Sequence, residues 1–224
     1  MRSYSSLFCH ILGSHEDVAG YAEMHQRYAN RLDLMRLRMR VFRSLEGELR
    51  GRFVLDKILH NEYSVSETLI NYTAVYPIFL LRRPEDAVTS IVRMGKRIQG
   101  EWYSDPSAAV DYYVTRLHEL ARLARRIRTR FLFLKAENLI TTPESTLRLV
   151  AAFLDLAEPL EESYSLFKHT GKPGWGDDSD EILQGRIARE RAPREAIVLD
   201  RGLLTPARHA YEESCRVLEG ATTL

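Results

Sequence analysis

The residues best suited to chemistry stand at the start of the chain. Arg2, Ser3, Tyr4, Ser5 and Ser6 precede an apolar pattern, Leu7, Phe8, Ile11 and Leu12, that repeats at helical spacing. A hydroxyl-rich turn opening a helix offers an anion its backbone N–H groups and the positive end of the helix dipole. Arg2 adds a fixed positive charge with a planar fork of donors. A plain serine N-cap is the alternative. A second set lies at Arg82-Arg83-Pro84-Glu85-Asp86 and Ser90. An arginine and a hydroxyl eight residues apart can grip one phosphate from two sides. Pairing of Arg82 or Arg83 with Asp86 or Glu85 is the structural alternative there.

Alternating helices and strands must position these sets. The first helix is expected to stop at Gly13 as its C′ residue. From about Tyr28 to Leu49, arginines interleave with Leu, Met and Phe at helical period, most simply as the solvated face of an amphipathic helix. Arg52–Leu59 is a short strand candidate, and Ser64–Ile70 a short helix capped by Ser66 or Ser64. Ala74–Leu81 has the length and apolarity of a buried parallel strand, although Pro77 interrupts it. Pro84 then starts a helix to about Ile98, with Glu85 and Asp86 in the dipole-favoured first turn. Pro106 to about Arg128 reads as a long helix and Arg130–Lys135 as another buried strand. Thr142 caps a helix with Pro143 at N1, 158–191 is irregular, and a last helix runs from about Pro206 to Leu218. Such alternation predicts an α/β fold with a mostly parallel sheet, whose ligands bind beyond the carboxyl ends of the strands.

Composition narrows the function classes. The 224 residues are 45% hydrophobic, enough for one sizeable core, and a single domain over 1–224 is expected. The formal charge of +1 gives no global field for nucleic acid or for an anionic membrane, so any anion site is local. Cys9 and Cys215 make no disulfide framework and lack metal-ligand spacing, which suits a reducing cytoplasm. No apolar run has the length of a membrane span, and the N-terminus lacks a signal-peptide core. The glycine-lysine loop of P-loop kinases is missing.

Four stretches in order resemble the sulfotransferases that use 3′-phosphoadenosine 5′-phosphosulfate, in their bacterial and carbohydrate-type form. Arg2-Ser3-Tyr4-Ser5-Ser6-Leu7 is similar to the family's 5′-phosphosulfate loop, and Arg82 with Ser90, followed by Ile91-Val92, to its 3′-phosphate motif. Lys135-Ala136-Glu137-Asn138-Leu139, Pro143-Glu144 and Phe153-Leu154-Asp155-Leu156 resemble a segment written Tyr-Glu-Asp-Leu…Pro…Phe-Leu-Gly-Leu. Gly171-Lys172-Pro173-Gly174-Trp175-Gly176-Asp177-Asp178-Ser179, with Gly185-Arg186-Ile187, looks like the late glycine-rich loop. His15-Glu16-Asp17-Val18 through Glu23 is similar to the tyrosylprotein branch, whose corresponding glutamate is proposed as general base.

The resemblance implies a three-layer P-loop-like fold, a central mostly parallel sheet flanked by helices. It also implies transfer of a sulfuryl group to a hydroxyl of a sugar, lipid or small molecule, leaving 3′,5′-ADP, with no metal. Arg2, Ser3, Tyr4, Ser5, Ser6 and Leu7 would bind the phosphosulfate, with Arg2 and the loop N–H groups stabilising charge on the departing phosphate, and Arg82 and Ser90 would bind the 3′-phosphate. Lys172 or Arg186 would assist at the 3′-phosphate, and Trp175 would stack on adenine. Glu23, or failing that His60, would take the acceptor proton, Lys57 would aid the leaving group, and His25 would help bind the acceptor. The acceptor pocket is expected against the 28–49 and 106–128 helices, with Tyr103, Tyr112 and Tyr113 as lining. The family strand before the loop is expected to be absent or truncated. Tyr4 stands where the family has glycine, so it is expected to avoid positive φ or to point its ring away from the donor. The alternative function is a degenerate, non-catalytic member that binds a nucleotide or a partner.

Overall fold

A computed structural model of the chain describes residues 2–46, 49–172, 179–189 and 197–221. Among them the order is α1 (Ser5–Gly13), β1 (Val18–Ala19), α2 (Arg31–Ser44), β2 (Phe53–Val54), α3 (Glu67–Ile70), β3 (Ile78–Leu81) and α4 (Pro84–Arg97). There follow α5 (Glu101–Ser104), α6 (Pro106–Ala124), β4 (Leu132–Lys135), α7 (Asn138–Thr141), α8 (Pro143–Leu154), a 3-10 turn (Asp180–Gln184) and α9 (Thr205–Ala221). The expected α/β character is present. Its strands, however, form two separate two-stranded parallel pairs, β1–β2 and β3–β4. The chain divides into two compact units. The first comprises Met1–Ser3, Tyr76–Glu137 and Ala192–Leu224, and the second Tyr4–Val75 and Asn138–Arg191.

In the first unit, the apolar run expected from Ala74 to Leu81 pairs only over Ile78–Leu81, in register with Leu132–Lys135. Pro77 has no N–H for the ladder, though its carbonyl still accepts from Leu132 N at 3.0 Å. Pro84 occupies the start of α4, where its missing N–H costs nothing. Val88, Ile91 and Val92 of α4 pack with Ala109, Val110 and Leu117 of α6 and Ala207, Ala210 and Leu218 of α9, all nearly sealed from solvent. Each large aliphatic buried there contributes about 1.5–3 kcal/mol. Tyr113 belongs to this core, and Tyr103 and Tyr112 pack against it.

In the second unit, Phe8, Cys9, Ile11 and Leu12 form the buried face of α1. Gly13 proves to be the last helical residue, with Ser14 as C-cap in right-handed conformation, so it is not the expected C′ stop. Its reason is space: a Cβ there would stand 2.5 Å from the Gly20 carbonyl oxygen. The strand expected over Arg52–Leu59 pairs with β1 only at Phe53 and Val54, flanked by bonds from Phe53 N to Asp17 O at 2.9 Å and from Leu55 N to Ala19 O at 2.8 Å. The helix expected from Tyr28 begins at Arg31, because Asn30 and Asp33 form a capping box. Tyr28 instead bridges in parallel to Val65, and Ser66 caps α3.

Candidate functional site

Both candidate clusters grow from the carboxyl ends of parallel strands, where α/β folds expose backbone and side chains to ligands. In the first unit β3 ends at Leu81, and Arg82 turns inward to 8% exposure. Its Nη1 donates to the Arg2 carbonyl oxygen at 3.0 Å, and its own carbonyl accepts from the Tyr113 hydroxyl at 2.6 Å. Ser90, in the second turn of α4 and 6% exposed, accepts from Arg2 Nε at 3.0 Å. Ser3 is buried as well. Arg2, Arg82 and Ser90, 88 residues apart at the extreme, are thus hydrogen-bonded into one group. Of the two local carboxylates expected to compete, Glu85 pairs with Arg208 at 2.6 Å. Tyr113, expected as acceptor lining, serves instead as a buried support for Arg82.

In the second unit the loop continues into α1. Tyr4 is its N-cap residue with φ 57°, in the left-handed region, and makes no side-chain cap bond. The expectation that Tyr4 avoids positive φ therefore fails. Arg2, two residues before, also has φ 61°. A non-glycine residue held left-handed costs about 1–2 kcal/mol, a strain that characteristically persists at ligand clamps. The Phe8 N–H closes the first helical turn on Tyr4 O at 3.0 Å, so the N–H groups of Ser5, Ser6 and Leu7 have no acceptor within the helix. Ser6 is 8% exposed and accepts from Lys57 Nζ at 3.0 Å; Lys57, just beyond β2, is 7% exposed. An ammonium so buried beside a hydroxyl is charge placed where water does not screen it.

The carboxylates of this unit complete the cluster. Glu23 follows β1, and its side chain is 8% exposed. Burial pushes its carboxyl above the ordinary range, opposed by His25, by Lys57 and by the Leu59 N–H that donates to it. Among the described residues Glu23 Oε1 has no hydrogen-bond partner, and it lies 3.8 Å from His25 Nδ1. His60 adjoins Leu59 in sequence, is half-buried, and sets its ring edge-on to Tyr63 at 6.3 Å. His25 approaches the same tyrosine at 5.5 Å. It also lines an open cleft of about 700 Å³ with Arg27, Arg36, Arg40 and Tyr63. The α2 helix lines this cleft through Asp33, Arg36 and Arg40, whereas the 106–128 helix and Tyr103, Tyr112 and Tyr113, expected as its other wall, do not line it.

Asp56 belongs to this cluster, although nothing in the sequence singled it out. Its Oδ1 accepts from Met24 N and Lys57 N, each at 2.8 Å, and its Oδ2 accepts from the Tyr28 hydroxyl. It ties the segment after β1 to the segment after β2 and so fixes Glu23 near Lys57. Burial raises its carboxyl despite these bonds. The sequence shows it only as a lone carboxylate inside the apolar run Phe53-Val54-Leu55-Asp56.

The late loop contributes less. Trp175 lies outside the described residues. Lys172 and Arg186 are exposed and form no side-chain hydrogen bond or ion pair among them. The buried Cys9 thiol is pushed up to about 11 chiefly by burial, so it is no nucleophile at neutral pH. A comparison of the chain with protein-family models finds no match, and a comparison with curated proteins finds none either.

Proposed function

We propose that the protein is a sulfotransferase that moves a sulfuryl group from 3′-phosphoadenosine 5′-phosphosulfate to an acceptor hydroxyl. One observation carries the proposal. A buried lysine bonded to a loop serine, Lys57 to Ser6, stands in the same unit as the Glu23 carboxylate, whose side chain is 8% exposed and whose Oε1 finds no hydrogen-bond partner among the described residues. In-line transfer between two oxygens needs a cation at the departing oxygen and a base at the attacking one. The residues present fit the donor: buried cations and hydroxyls line the loop, and no metal is called for. The donor supplies an activated sulfuryl whose S–O bond to phosphate breaks as a bond to the acceptor oxygen forms.

The chain's residues divide the remaining work. Arg82 and Ser90 hold the 3′-phosphate, and Arg2, expected at the phosphosulfate, joins them there through its bond to Ser90. Ser5, Ser6 and Leu7, through the first-turn N–H groups of α1, orient the 5′-phosphate beside Lys57. Lys57 neutralises the charge that develops on the departing phosphate oxygen. Glu23 accepts the acceptor proton at Oε1, a task favoured by a carboxyl raised toward neutrality. His25 and the cleft it lines receive the acceptor. The proposal extends to the three-layer P-loop-like fold, supported by the parallel strand pairing within each unit.

The test is acceptor-dependent release of 3′,5′-ADP from the donor, with the sulfated product identified by mass spectrometry. Release without any sulfated product, or nucleotide binding without turnover across sugar, lipid and phenol hydroxyls, would favour a non-catalytic nucleotide-binding protein.

A further inference from the structure

The arginines of α2 do not form the single solvated face that their spacing predicts. The helix buries Leu37 and Val41, with Leu34 half-buried beside them, while Asp33 is turned inward to its capping bonds. On the outside Leu32, Met35, Met39 and Phe42 are 60%, 63%, 53% and 42% exposed. At 3.6 residues per turn these four fall within about 80° of arc and extend for about 15 Å. Arg36, Arg40 and Arg43 border the stripe on one side, and Arg31 and Arg38 on the other. Asp33 is the only acid of the helix, so the exposed face is apolar at its centre and positive at both edges.

Some of these arginines have partners: Arg31 lies over the Tyr72 ring at 4.3 Å, Arg36 pairs with Asp33, and Arg40 donates to Met24 O. The side chains of Arg38 and Arg43 are exposed and form neither an ion pair nor a hydrogen bond among the described residues. From this pattern we infer that α2 docks the protein on the surface of an anionic lipid bilayer, its apolar stripe entering the headgroup–acyl boundary and its arginines meeting lipid phosphates. A second protein copy would present the same five arginines to themselves, whereas an anionic bilayer neutralises both edges at once. A helix with a basic border around exposed Leu, Met and Phe lies in the interface plane and does not span it. In agreement, no helix among the described residues is long and apolar enough to cross a membrane.

The test is flotation of the full chain with vesicles of phosphatidylcholine, with and without phosphatidylglycerol. The chain is expected to float only with phosphatidylglycerol present and to be released by high salt. Arg38→Gln with Arg43→Gln should weaken binding about 25-fold, at about fivefold per arginine. Met35→Ser with Met39→Ser should weaken it about tenfold. These four side chains are solvent-exposed and outside the proposed catalytic machinery, so thermal stability and 3′,5′-ADP binding should be unchanged. Failure to float with phosphatidylglycerol, or flotation untouched by both double variants, would overturn the inference. So would a dimer in light scattering that Met35→Ser with Met39→Ser dissociates, since the stripe would then belong to a second copy. Each result is independent of whether the protein transfers sulfuryl groups.

Discussion

Glu23→Gln separates chemistry from folding at one position. The glutamate is 8% exposed, and burial favours its protonated form, so its charge is a burden on the folded state. Because the folded carboxyl titrates above its ordinary value of 4.5, folding binds a proton that the unfolded chain releases. Stability therefore falls as pH rises from about that value through the raised one and levels off above it. Glutamine keeps the shape and an acceptor for the Leu59 N–H but never ionises. The variant should match the parent at pH 4 and exceed it at pH 7. Each factor of ten by which burial favours the protonated form is worth about 1.4 kcal/mol. Turnover should move the other way. Loss of a general base costs about 10²- to 10⁴-fold, or about 3–5 kcal/mol of barrier. Urea melts at several pH values, beside 3′,5′-ADP release, provide both readings. A variant that is equally destabilised at pH 4 and pH 7, or that keeps its turnover, would refute the reasoning.

Other substitutions probe the supports. Lys57→Met should lower kcat about 100-fold, as loss of a charge stabiliser does. Because Lys57 also holds the Glu23 carboxyl down, the acid limb of the pH–rate profile should move to higher pH, and an unmoved limb would contradict their coupling. Gly13→Ala would force a Cβ to 2.5 Å from Gly20 O, an overpacking worth about 1–3 kcal/mol, and should lower Tm by about 2–12 °C. A normal melt would mean that the backbone yields there. Tyr113→Phe leaves the Arg82 carbonyl without its 2.6 Å donor and should cost about 1–3 kcal/mol in urea denaturation, with weakened 3′,5′-ADP binding beside it. Unchanged stability would show that water replaces the hydroxyl.

Much of this was legible in local chemistry. Pro84, Pro106 and Pro143 announced helix starts through fixed φ and missing N–H groups, and each helix begins there. The offset from Arg82 to Ser90 follows from a strand end leading into two helical turns. The rest depended on contacts distant in sequence. Nothing in the spacing said that Arg2 would lay its guanidinium on Ser90, or that the side chain of Asp56 would bridge two strand ends. Gly13 looked like a stop because glycine tolerates positive φ, when its role is to admit another backbone. The stripe on α2 was hidden because helical period alone does not tell a buried apolar face from an exposed one. Tyr4 ran against intrinsic preference, because tertiary contacts hold its backbone at φ 57° where the local rule disfavours any residue but glycine.

The central claim is that Arg2, Arg82 and Ser90 form a phosphate-binding group for a doubly phosphorylated adenosine. Calorimetric titration with 3′,5′-ADP and with 5′-AMP tests it most directly. The account predicts that 3′,5′-ADP binds about 10- to 100-fold more tightly, since charge-assisted hydrogen bonds to the extra phosphate are worth about 1.5–3 kcal/mol. It also predicts that Arg2→Gln with Ser90→Ala closes the gap. Equal affinity for the two nucleotides, or no binding of either by the folded chain, would contradict it.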